Sequence, residues 1–258
     1  MTMSNNQTAT RLCERALVRV TGADPAEATD FLQGLVTNDV TGPLPVWAGL
    51  LSAQGKVLFD FFVWPTPGGM LLDCEAAHAE DLVKRLSIYR LRRKLEIVVA
   101  DDLAVHWSRV FAEDGIADPR LPQIGGRWLA PAGDDAQRCA DGAYRAHRLA
   151  LGVTEGRNEL GFDQTLWLEC NAAELQGVSF AKGCYIGQEN TARMNWRQKV
   201  NRRLTVVPFD RSDPSRQRIA YGEIGYAVDH LRVADADPAL FPAWLDIAWA
   251  PDAAGKES

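Results

Sequence analysis

The sequence predicts an α+β fold, and three observations carry that prediction. Strand-like and helix-like segments mix without regular β-α-β alternation. A capped amphipathic helix follows directly on the first apolar strand. A hairpin with a Gln54-Gly55 turn comes next.

In chain order, residues 1–12 are polar, and Ala16 to Thr21 predicts a strand. Asp24 then serves as N-cap, Pro25 as first helical residue and Glu27 as the closing member of a capping box. Phe31, Leu32 and Leu35 give that helix its apolar face. Trp47 to Ala53 and Lys56 to Trp64 predict the two arms of the hairpin, and Met70 to Cys74 a third strand. From Ala76 to Arg93, Leu82, Leu86, Tyr89 and Arg93 recur at helical spacing, with cations crowding the C-terminal end. Leu95 to Val99 and Val105 to Phe111 predict strands. Ala112 to Gly142 predicts loops around one short strand near Trp128, and Tyr144 to Leu151 a helix. Residues 152–180 show no clear period. Tyr185 to Met194 predicts a helix, Arg203 to Phe209 a strand, and Ile224 to Val233 a strand pair.

Composition narrows the function classes. The 258 residues are 47% apolar with a net charge of −6, which argues against direct nucleic-acid binding by the chain as a whole. No apolar run reaches the length of a membrane span, and the N-terminus lacks the order of a signal peptide. The expectation is a cytoplasmic protein without membrane partners. The five cysteines (Cys13, Cys74, Cys139, Cys170 and Cys184) are widely spaced and form no C-x-x-C pair, so neither a disulfide framework nor a four-cysteine cluster site is expected. The four histidines are equally scattered, and no metal site is expected.

The segment Lys182-Gly183-Cys184-Tyr185-Ile186-Gly187-Gln188-Glu189 concentrates chemistry. Cys184 opens the predicted helix, where unpaired N–H groups and the positive dipole end favour a thiolate, and Lys182 adds a cation. The alternative is an inert, packed thiol. A basic stripe follows, Arg193, Arg197, Lys199, Arg202 and Arg203, with no acid between Asn190 and Phe209. It suits an anionic tail, a phosphate or an acidic partner, or is simply a solvated face.

The string KGCYIGQE, preceded by Gly177-Val178-Ser179-Phe180, resembles the signature of the YgfZ family of folate-binding iron–sulfur protein maturation factors. That family is related to the glycine cleavage system T-protein. FLQGLVTNDV (Phe31 to Val40), AGLLSAQGKVLFD (Ala48 to Asp60), LRRKLEI (Leu91 to Ile97) and LGVTEG (Leu151 to Gly156) extend the resemblance over residues 16 to 209.

The resemblance implies a T-protein-like fold of three subdomains around a central folate cavity. Its parts would be residues 1–100, residues 101–199 ending in the signature, and a reduced C-terminal β-barrel with tail at residues 200–258. It implies tetrahydrofolate or a derivative as cofactor, and iron–sulfur carrier and client proteins as partners. The implied role is maturation or repair of [4Fe–4S] proteins, including radical enzymes that modify tRNA. Lys182 and Cys184 carry over as the essential residues. The thiol would hold iron or a cluster transiently, or attack a folate-bound one-carbon unit.

Folate contacts are expected from Asn38 and Asp39 in the T-N-D turn, from Arg148 and Glu155, and from Tyr185 and Gln188 in the signature. Simple turn chemistry is the alternative for Asn38-Asp39, and a solvated surface for Arg148 and Glu155. Trp47, Trp64 and Trp167 line a pterin slot, or else pack in the core or on the surface. Two departures stand out: Asn195-Trp196-Arg197-Gln198 replaces the His-rich or Gly-containing turn of many relatives, and the C-terminal barrel is cut down. A true aminomethyl or one-carbon transferase and a non-catalytic folate-binding regulator remain competing functions.

Overall fold

The computed structural model describes residues 9–110, 115–133, 139–197 and 200–245, with the side chain of residue 197 left out. Its largest element is a five-stranded antiparallel sheet of order β2-β3-β4-β1-β5. The strands are β1 (Arg15–Gly22), β2 (Val46–Leu51), β3 (Val57–Thr66), β4 (Gly69–Glu75) and β5 (Leu95–Ala100). Val57 to Trp64 is buried at every position. Both faces of β3 are therefore covered, which is why the strand reads as a continuous apolar run rather than an alternating one.

Two helices, α1 (Pro25–Gln33) and α2 (Ala79–Arg90), seal one face. Phe31, Leu32, Leu82 and Leu86 join Val18, Val20, Phe61, Val63 and Leu72 there. Asp24 caps α1 as predicted, its carboxylate accepting from the Ala26 N–H at 2.9 Å. The predicted helix from Ala76 to Arg93 is shorter in the structure. A 3₁₀ turn fills Ala76–His78, and Leu91, at φ 51°, stops α2.

The other face of the large sheet meets the middle of the chain. β6 (Leu103–Ser108), β7 (Ile116–Ala117) and β8 (Gly126–Pro131) form a three-stranded sheet of order β6-β8-β7. The helix α3 (Asp141–Ala150) and the short α4 (Gly156–Leu160) follow. Leu17, Phe62, Trp64 and Leu71 share a core with Trp107, Tyr144, Leu149 and Trp167.

α5 (Gln188–Arg197) leads to a second three-stranded sheet, order β10-β11-β9, from β9 (Arg202–Pro208), β10 (Gln217–Tyr221) and β11 (Tyr226–Arg232). The expected strand pair within Ile224 to Val233 is in fact β10 and β11 joined through Gly222–Ile224. Gln217 and Arg218 hid β10, because neither gives an alternating apolar signal.

One cysteine expectation fails. Cys13 and Cys139 form a disulfide across 126 residues of sequence, joining the entry to β1 with the approach to α3. Their separation in the sequence gave no pattern from which to read the pairing. No helix among the described residues is long and apolar enough to cross a membrane.

Candidate functional site

The signature segment folds as a loop that two distant motifs hold in place. The first is the T-N-D turn. Thr37 donates its hydroxyl to the Gly177 carbonyl at 2.7 Å, and the Ser179 N–H donates to the Thr37 carbonyl at 3.0 Å. The Asn38 side-chain amide donates to the carbonyls of Trp47 (2.8 Å) and Gln176 (2.7 Å). Lys182 is buried, and its ammonium donates to the carbonyls of Val36 (2.6 Å) and Asn38 (2.9 Å). It also lies 5.3 Å from the centre of the Tyr185 ring. Burial pushes the Lys182 pKa down to about 8, against the opposing pull of Asp39.

The second anchor is the turn of the β2–β3 hairpin. Gly187 packs so closely on it that a Cβ there would sit 2.6 Å from the Ser52 carbonyl oxygen and 2.9 Å from the Gly55 Cα. Gly187 has φ 81° and Gly55 φ 79°, both in the left-handed region that favours glycine. The Asn190 amide completes the clamp by donating to the Gln54 carbonyl at 2.7 Å.

Gly187 also explains a difference from the sequence prediction. A residue at φ 81° cannot continue a right-handed helix, so α5 starts at Gln188 and not at Tyr185. Cys184 therefore lies ahead of the first helical turn. Lys182 commits two N–H groups to backbone carbonyls, so its role is to fasten the loop. Of the three free cysteines, Cys74 and Cys170 are buried and Cys184 is exposed. Burial raises the Cys74 thiol to about 12 and pushes Cys170 well above the ordinary thiol range. Tyr185 is buried, Gln188 is half-buried and Glu189 is exposed, where it pairs with Arg193 at 2.9 Å. Of the basic stripe, Lys199 and the Arg197 side chain lie outside the described residues.

Arg148 and Glu155 lie elsewhere, in a buried charged basin between the large sheet, β8 and α3. Neither is on a solvated surface. Asp73 accepts from Arg15 Nε at 2.7 Å and from Arg127 Nε at 2.8 Å. Glu155 meets Arg120 Nη1 at 2.7 Å, Arg15 Nη1 at 3.2 Å and the Tyr144 hydroxyl at 2.6 Å. Arg148 chelates both oxygens of Glu159 at 2.7 Å and donates to the Val153 carbonyl at 2.6 Å. Burial alone would raise the Glu155 carboxyl, but Arg120, Arg15, Arg148 and Arg127 outweigh it and hold the group well below the usual carboxylate range. Asp60 is the opposite case. Burial, then Glu155 and Glu75, raise it to about 7, although Arg15 and the Trp47 indole oppose the shift.

Trp47 separates the two regions. Its carbonyl accepts from Asn38, its indole N–H donates to Asp60 at 3.2 Å, and Arg120 stacks over its ring at 5.6 Å. Trp47, Trp64 and Trp167 are all core residues, the first and last with ring centres 4.7 Å apart. The polar groups nominated for folate are thus largely engaged internally. Asn38 uses both ends of its amide, Asp39 binds Thr41 and Gln33, and Arg148 and Glu155 hold ion pairs. In this arrangement they do not fit a preformed pterin slot. The basin itself was invisible in the sequence, because Arg15, Asp73, Arg120 and Arg127 share no local pattern.

The fold is that of the aminomethyltransferases. The structure matches glycine cleavage system aminomethyltransferase T from Bartonella henselae with a TM-score of 0.60 at 12% identity, over 88% of this chain and 80% of that one. The homologues by sequence are iron–sulfur cluster assembly factors. The chain is similar to the protein named iron-sulfur cluster assembly factor IBA57, mitochondrial, of Homo sapiens, at 35% identity over 77% of this chain and 65% of that protein. The homologue in Coccidioides immitis is 32% identical over 85% of this chain and 61% of its own length. That in Pyricularia oryzae is 35% identical over 78% and 57%. The chain thus spans less than two thirds of these relatives. No protein-family model matches it. The cytoplasmic expectation is overturned, since these relatives are named mitochondrial.

Proposed function

We propose that the chain belongs with the YgfZ-like maturation factors and serves the maturation of [4Fe–4S] proteins through Cys184. One observation carries this reading. The signature loop is fastened on two sides by Lys182 and Gly187, while its thiol remains exposed. A loop held this rigidly presents one nucleophilic or ligating sulfur at a fixed place. Thiolates are the ligands that hold iron–sulfur clusters, commonly four to a cluster. The other cysteines among the described residues are buried or disulfide-bonded. The remaining ligands therefore come from a carrier or client protein, and the cluster is cargo rather than a resident cofactor. Radical enzymes that modify tRNA are the client class implied by the sequence resemblance.

Tetrahydrofolate is the ligand that the resemblance implies for this fold, but Asn38, Asp39, Arg148 and Glu155 are engaged with protein groups, so Cys184 carries the proposed role. The test is complementation. Cells lacking the chain receive either the wild type or Cys184→Ala, and the activity of their [4Fe–4S] enzymes is measured beside the protein level. The variant should accumulate normally and restore nothing. Full restoration by Cys184→Ala would overturn the reading. So would efficient turnover of an aminomethyl-loaded carrier with tetrahydrofolate by the purified protein, which would make it a transferase.

A further inference from the structure

The start of β9 carries part of the basic stripe, which the site at Cys184 does not use. Arg202 on β9 stands directly opposite Arg232 on β11 in the antiparallel ladder. Like charges in that position repel. Neither guanidinium has a carboxylate partner among the described residues, and both side chains are exposed. Beside them Arg218 is half-buried, and among the described residues its guanidinium meets Gln164 Oε1 at 2.6 Å, Thr165 Oγ1 at 3.2 Å and His230 Nδ1 at 3.3 Å, with no carboxylate paired to it. Its Nε is buried without a hydrogen-bond partner.

These three arginines line one cleft of about 610 Å³ together with Arg211 and Arg216. Arg211 pairs with Asp237 at 2.7 Å and Arg216 with Asp229 at 3.2 Å. With Asp229 counted as the partner of Arg216, the five arginines meet three aspartates (Asp229, Asp235 and Asp237), an excess of two positive charges in a chain whose net charge is −6. Such a local excess concentrates anions. A volume of this order is that of a small-molecule site. Guanidinium forks match the paired oxygens of carboxylate and phosphate groups.

We propose that this cleft binds a small multivalent anion carrying phosphate or carboxylate groups, which bridges Arg202, Arg232 and Arg218 and relieves their repulsion. The proposal goes beyond iron–sulfur maturation and stands independently of it.

The test is calorimetric titration and thermal unfolding of the full chain at low salt, with tripolyphosphate in one arm and citrate in the other. At least one anion should bind and raise Tm. Preference for tripolyphosphate assigns phosphate chemistry, and preference for citrate assigns carboxylate. Arg202→Gln and Arg232→Gln should each weaken binding by about tenfold or more. Without anion, each should leave Tm unchanged or raise it, because a repulsion is removed. Arg92→Gln, an exposed charge beyond α2, should bind as the wild type does. The proposal fails if neither anion binds at about 1 mM, if Arg92→Gln loses as much affinity as Arg232→Gln, or if Arg232→Gln lowers Tm without ligand.

Discussion

The signature loop and the charged basin lie on either side of Trp47, yet they hold their polar side chains in opposite ways. In the loop, the side chains of Thr37, Asn38, Lys182 and Asn190 reach backbone carbonyls. In the basin, guanidinium meets carboxylate in a shared network, and removing one member leaves its buried partners short of a compensating charge. The loop is thus built to place one exposed sulfur, whereas the basin is built to hold the large sheet against β8 and α3. Both contain residues that a sequence reader would offer to folate, and only their surroundings tell the roles apart.

That contrast breaks first at Asp73. Asp73→Ala strips a partner from both Arg15 and Arg127 and should destabilise by about 3–5 kcal/mol, as for any broken buried pair. Denaturant unfolding measures it, and a loss below about 1 kcal/mol would mean that water reaches the basin.

Gly187→Ala comes next. The new methyl group needs a left-handed backbone, costing roughly 1–2 kcal/mol. It also collides with Ser52 and Gly55, and overpacking typically adds about 1–3 kcal/mol. Hydrogen exchange should show the loop and the hairpin turn opening together. Opening confined to α5 would refute the clamp.

Lys182→Met has a smaller effect. It leaves two carbonyls without their donor, worth about 1–3 kcal/mol near pH 7. The pH profile carries the sign. Lys182 titrates at about 8 in the fold, below its ordinary value of 10.5, so the unfolded chain binds more protons between those values. Its contribution to stability therefore rises with pH across that window. The wild type should gain on Lys182→Met there, and a constant gap would show that burial does not shift the group.

The smallest change in stability belongs to Cys184→Ala, within about 0.5 kcal/mol for an exposed position. The same variant should have the largest effect on function, which is the sharpest form of the contrast between the two regions.

The sequence made the loop legible and left the basin hidden. The Asp24 cap, the Gln54-Gly55 turn and the eight-residue signature are short-range patterns, and the cap and the turn stand where they are expected. What failed at short range was the start of α5, because helical propensity in Tyr185 and Ile186 does not reveal that Gly187 must turn left-handed against a distant hairpin at Gly55. For Arg148 and Glu155 the sequence offers a solvated surface as the alternative to folate, since burial of a charge depends on partners that the chain supplies from far away. The Cys13–Cys139 link and the opposed Arg202 and Arg232 were unreadable for the same reason: each exists only after the chain has folded.

The contact between Gly55 and Gly187 has a consequence for divergence. Each glycine removes a side chain that would otherwise fill the other's space, so neither position is free to vary while its partner's surroundings stay fixed. A lineage that keeps an exposed sulfur at this loop should inherit the two glycines as one unit. A lineage that abandons the sulfur loses the reason to retain either, and substitutions at the hairpin turn should then accompany those in the loop.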